Sequence, residues 1–69
     1  MKFIPGTRFI NRTNKNTRLF PTNVIHILND VKKDVSGEIT YIFLVDRERK
    51  EIKFNSIKEA DIWLETILV

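Results

Sequence analysis

This sequence predicts a small α+β domain: a curved antiparallel sheet of three to four strands, with one C-terminal helix packed across one face. Three observations predict it. Residues 38–46, from Glu38 to Asp46, are dense in β-branched and aromatic side chains, as a strand requires. Residues 51–55 alternate Ile52 and Phe54 with Glu51, Lys53 and Asn55, the period of a half-buried strand. Ser56-Ile57-Lys58-Glu59 then has the form of a capping box, which opens a helix at Ile57. At 69 residues the chain is a single domain. Its first part, 1–22, is basic and partly irregular, and 23–69 supply the β-β-α core.

In chain order, Pro5-Gly6 marks a turn and 7–11 a short strand. Residues 11–18 contain only Asn, Thr, Lys and Arg, a flexible-loop composition with nothing to bury. Leu19 and Phe20 form an apolar pair expected to tuck under the domain edge before Pro21 stops regular structure. Val24 to Asp30 reads as a strand that continues through Val31, and Ser36-Gly37 supplies the hairpin turn that follows. The next strand places Ile39, Tyr41, Phe43 and Val45 on one face and Thr40, Ile42 and Leu44 on the other. Both faces are apolar, so this strand should be central and covered on both sides. A charged turn, Arg47 to Lys50, leads to the last strand, an edge or half-buried member. In the helix Ile57, Ala60, Trp63, Leu64, Ile67 and Leu68 form one stripe, opposite Lys58, Glu59, Asp61 and Glu65. Asp61 and Glu65 are a like-charge pair one turn apart, which is mildly unfavourable.

The helix can cover only one sheet face. The Thr40, Ile42, Leu44 face therefore needs a second cover. Either the N-terminal strand curls the sheet into a small closed barrel or another chain, such as a second copy, packs there.

Composition removes several function classes. With no cysteine there is no disulfide framework, thiolate metal site or cysteine nucleophile. A secreted domain of this size usually carries disulfides, so an intracellular, cytoplasmic home is expected. The N-terminus has no apolar leader, and no apolar run approaches the roughly 20 residues of a membrane span. Ile, Lys and Asn fill a third of the chain, the bias of AT-rich coding. With a start at Met1 and an end just after a helix, this suggests a complete small reading frame of a phage or mobile element. His26 is the only histidine and sits among apolar neighbours, with no serine or carboxylate placed to complete a site. The acids flank turns without calcium-loop spacing, and Pro5-Gly6-Thr7 lacks the context of a phosphate-binding loop. The expectation is a protein that is not an enzyme, with no cofactor and no metal. Trp63 reads as core, given its helical spacing.

Charge carries the best functional signal. Lys2, Arg8, Arg12, Lys15 and Arg18 all precede the first acid, Asp30, so 1–29 hold +5 and 30–69 hold −2. The stretch from Arg8 to Arg18 is either a solvated loop or a set of cations and neutral donors suited to a phosphate backbone. A second cluster, Arg47, Arg49, Lys50 and Lys53, is diluted by Asp46, Glu48 and Glu51.

Residues 38–68, and in particular the run Phe54, Ser56, Glu59, Ala60, resemble the β-β-β-α arm-type or AP2-like DNA-binding modules of phage and transposon integrases. The resemblance implies a three-stranded sheet on a C-terminal helix, with an exposed sheet face that reads DNA. Here that face would include Thr40, Lys53 and Asn55, although Ile42 and Leu44 are apolar where the family is polar or basic. The N-terminal strand after Pro5-Gly6 also resembles an SH3-like small barrel. The expected function is a non-catalytic module that contacts nucleic acid through Arg8, Arg12, Lys15, Arg18 and Lys53. The alternative is a small protein that binds and inhibits a host or defence protein through a sheet edge or apolar face.

Overall fold

The computed structural model describes residues 2–15 and 17–67, with the side chain of Ile67 excepted. Leu68 and the Ile67 side chain, both expected on the helix stripe, lie outside the described residues. Four strands, β1 (Arg8–Ile10), β2 (Ile25–Lys33), β3 (Ile39–Val45) and β4 (Glu48–Phe54), precede helix α1 (Ile57–Ile67). The strands pair antiparallel in the order β1-β2-β3-β4. The sheet is open, which removes the barrel alternative. β1 has three residues and pairs only with β2, so it is too short to reach around to β4 at the far edge.

β3 is the central strand, and its alternation is as expected. Tyr41 and Phe43 enter the core on the α1 side, where they join Phe9, Leu28, Ile52, Phe54, Ala60 and Leu64. Burying each large apolar side chain contributes roughly 1.5–3 kcal/mol. Trp63 is half-buried and meets Phe20 and Phe54 edge-on or tilted. Ser56 caps α1 by accepting from the Glu59 amide at 3.1 Å.

The N-terminal segment does not cover the outer face. It runs to the helix side, where Phe3 enters the core, the Lys2 amide donates to Asp61 Oδ2 at 3.1 Å and the Lys2 ammonium pairs with Glu65. The like-charge pair on α1 is thus bridged by a cation from the other end of the chain. On the outer face, register places Arg8, Ile27, Leu44 and Arg49 in one row across the four strands. Asp30, Ile42 and Glu51 form the next row, and Lys32, Thr40 and Lys53 the third. Among the described residues no secondary-structure element lies over these rows. Ile42 is nonetheless only 1% exposed, whereas Leu44 is 36% exposed.

Two boundaries differ from expectation. The β3–β4 connection is the two-residue turn Asp46-Arg47, with φ of 51° and 69°, and the strand begins at Glu48 rather than after Lys50. Charged residues extend readily on an edge strand, where they also deter pairing with other chains. β2 runs on to Lys33 through a bulge between Leu28 and Asp30. The turn after β2 is organised by Asp34, whose carboxylate accepts from the Ser36 amide, the Ser36 hydroxyl and the Glu38 amide. These bonds, that of the Ser36 hydroxyl foremost, hold the Asp34 carboxyl below its ordinary range.

Candidate nucleic-acid interface

The antiparallel register decides which charges meet. β1 ends, β2 begins and β3 turns into β4 at the same end of the sheet, where Ile10 pairs with Ile25 and Val45 with Glu48. Loop residues 11–15 and 17–24 lie at that end as well. Two basic clusters, distant in sequence, therefore converge. Arg8, Arg12, Lys15 and Arg18 come from β1 and the loop, and Arg47, Arg49 and Lys50 from the turn and β4. Only Asp46 and Glu48 oppose these seven bases, so this end carries +5. The rest of the chain, with five bases and seven acids, carries −2.

Of the five residues expected to contact nucleic acid, Arg8, Arg12, Lys15 and Arg18 are exposed at the basic end. Lys53 is not with them. It sits in the third row of the outer face, toward the opposite end, with its ammonium 3.7 Å from Glu38. Arg47 and Arg49 join the site instead. The mixed signs around them in sequence hid this, because alternation along a strand sends neighbours to opposite faces. Arg8 and Arg49 end one row, roughly 14 Å apart at three strand spacings. Beside that row is a shallow concavity lined by Arg8, Ile25, Ile27, Leu44, Asp46 and Arg47. Ile25, 48% exposed, forms its apolar floor together with Leu44.

The basic loop is organised rather than loose, because Asn11 is buried. Its Nδ2 donates to the carbonyls of Lys15 (2.7 Å) and Phe20 (2.8 Å), and its Oδ1 accepts from the Thr13 amide and hydroxyl. The Asn23 amide closes the loop by donating to the Asn11 carbonyl at 2.8 Å. One side chain thus satisfies backbone groups that regular structure does not. Phe20 anchors the far end of the loop in the core, whereas its neighbour Leu19 points outward and is exposed. The expected pair is therefore split. Among the described residues the non-glycine residues with positive φ, Asn23, Asp46 and Arg47, all lie at this end of the sheet.

Beneath the loop His26 is fully buried, stacked on Phe20 with ring centroids 3.9 Å apart. Its Nδ1 lies 3.2 Å from the Val24 carbonyl, which can only accept, so Nδ1 carries the proton. Nε2 is then an acceptor for the Lys50 ammonium at 3.4 Å. Burial pushes the imidazole below its ordinary range, against the Val24 hydrogen bond; Lys50 adds to the fall and Asp46 opposes it. Burial also lowers Lys50, whose ammonium lies 5.6 Å from the Phe20 ring centroid. Were His26 charged, the two cations would repel by roughly 5 kcal/mol at an effective dielectric of about 20. An imidazolium on a phenyl face recovers only about 0.5–2 kcal/mol. The neutral ring is the form this site holds.

The opposite, helix side contains a second strain. Among the described residues the buried Tyr41 hydroxyl and Asp61 Oδ1 have no hydrogen-bond partner. Burial, reinforced by the Asp61 charge, pushes the phenol above its ordinary range.

No family model, curated protein or solved structure matches this chain.

Proposed function

We propose that this chain is a non-catalytic module that holds the phosphate backbone of a nucleic acid against the basic end of its sheet. The observation that carries this reading is the convergence of Arg8, Arg12, Lys15, Arg18, Arg47 and Arg49 at one end, where only two acids compete. Five of the six are arginines, whose planar fork suits phosphate oxygens. Backbone strain at Arg47 supports the same location, since strained conformations cluster at functional sites. Of the seven aromatic residues, six are buried and Trp63 is half-buried on the helix side, so the basic end has no exposed ring on which bases could stack. Contacts of this kind position a backbone and do not read bases. Among the described residues no helix is long and apolar enough to cross a membrane, and the reading places the protein in the cytoplasm, encoded by a phage or mobile element.

Fluorescence anisotropy with a labelled duplex of mixed sequence at low salt tests the proposal. Reversing Arg12, Lys15 and Arg18 to glutamate should weaken binding at least about 10-fold, while reversing Lys32, Lys33 and Lys53 should have a far smaller effect. Equal losses from the two triples, or no binding by the wild type, would refute it. The exposed Ile25 and Leu44 favour a second reading, docking of a host or defence protein on the outer sheet face. That reading predicts that Ile25→Asp and Leu44→Asp abolish partner binding while the arginine variants retain it.

A further inference from the structure

Phe20 closes the His26 site from the loop side, and Lys50 closes it at the Nε2 edge. An imidazolium in this position has no route to water unless one of them moves. We propose that His26 is a proton-operated latch on residues 17–22: the neutral ring holds Phe20 in the core, and the charged ring lifts it. The groups facing the ring are Lys50 from β4, Asp46 from the β3–β4 turn, the Val24 carbonyl at the start of β2, and the rings of Phe20 and Phe43. Only Asp46 favours the charged form by its charge, and its effect is smaller than that of Lys50. Charging the ring removes the acceptor of the Lys50 ammonium and sets two cations 3.4 Å apart in a buried place. Phe20 is the loop's aromatic anchor, so lifting it frees the end of the loop that carries Arg18, while Asn11 still holds Thr13 and Lys15. The latch stands on packing geometry and does not depend on what the loop binds.

Trp63, the only tryptophan, reports on the latch because its ring meets Phe20 edge-on at 5.3 Å. Trp63 emission should be flat from pH 8 to pH 6.5 and then change in one step below the ordinary histidine range. The NMR signals of the His26 ring should titrate with the same midpoint, and far-UV circular dichroism should stay constant through the step. Lys50→Met should move both midpoints to higher pH, since it removes the facing cation. His26→Gln should abolish the step. Should that variant fail to fold, the coincidence of midpoints in the wild type and their shift in Lys50→Met still decide the matter. Flat emission while His26 titrates would mean that Lys50 alone swings away, and would overturn the latch. So would a step that survives His26→Gln, or one that coincides with loss of the far-UV signal.

Discussion

Arg47→Gly separates stability from the proposed binding at the basic end. Arg47 is the second residue of a two-residue hairpin turn and has φ of 69°. Turns of this handedness favour glycine at that place, Asp-Gly being a preferred pair, because a Cβ there crowds the backbone. The left-handed conformation costs a non-glycine residue roughly 1–2 kcal/mol. Glycine returns about 0.5–1 kcal/mol of that through the larger freedom of the unfolded chain. The variant should therefore be more stable by about 0.5–1 kcal/mol, which raises the melting temperature of a domain this small by roughly 2–8 °C. Arg47 is exposed, so little packing is lost in exchange. Calorimetry measures the gain, and a salt titration of duplex binding measures the loss. One fewer phosphate contact should lower the slope of log K against log salt by about 0.9. A lower melting temperature would refute the strain argument. An unchanged slope would remove Arg47 from the interface.

Two other substitutions test the packing around the site. Asn11→Ala should destabilise by about 2–3 kcal/mol, since it orphans the buried Phe20 carbonyl and leaves the loop unstapled; chemical denaturation checks this, and a loss under 0.5 kcal/mol would mean that water replaces the side chain without difficulty. Tyr41→Phe removes a buried hydroxyl without a partner and should be neutral or stabilising by up to about 1 kcal/mol; a loss above about 2 kcal/mol would show that the hydroxyl is hydrogen-bonded in solution.

Much of the fold was legible in the sequence, for local reasons. The two faces of β3, the alternation of Ile52 and Phe54 and the Ser56 cap each depend on residues within a few positions of one another. The Asp46-Arg47 turn was not legible, because it carries none of the glycine or asparagine that usually mark such a turn. Asn11 was hidden among polar residues, although Asn11-x-Thr13 is a spacing at which an Asx-type bond forms. The convergence of basic residues was half legible. The charge imbalance pointed to Arg8, Arg12, Lys15 and Arg18, but only the register that places Ile27 beside Leu44, and Leu44 beside Arg49, brings the turn arginines to the same end. Lys53 lies apart from the other four for the same reason, at the other end of the strand that carries Arg49.

Amide chemical-shift mapping decides whether nucleic acid meets one end of this sheet: the ¹⁵N-labelled protein is titrated at low salt with a short duplex of mixed sequence. The proposed interface predicts shifts concentrated in residues 8–27 and 44–50, with the turn residue Arg47 and the loop residues Arg12 and Arg18 among the most affected. It predicts little change in the turn of Asp34 to Glu38 or in α1. Shifts centred on α1 or on the third-row residues Lys32, Thr40 and Lys53, or no shifts at a large excess of duplex, would contradict it.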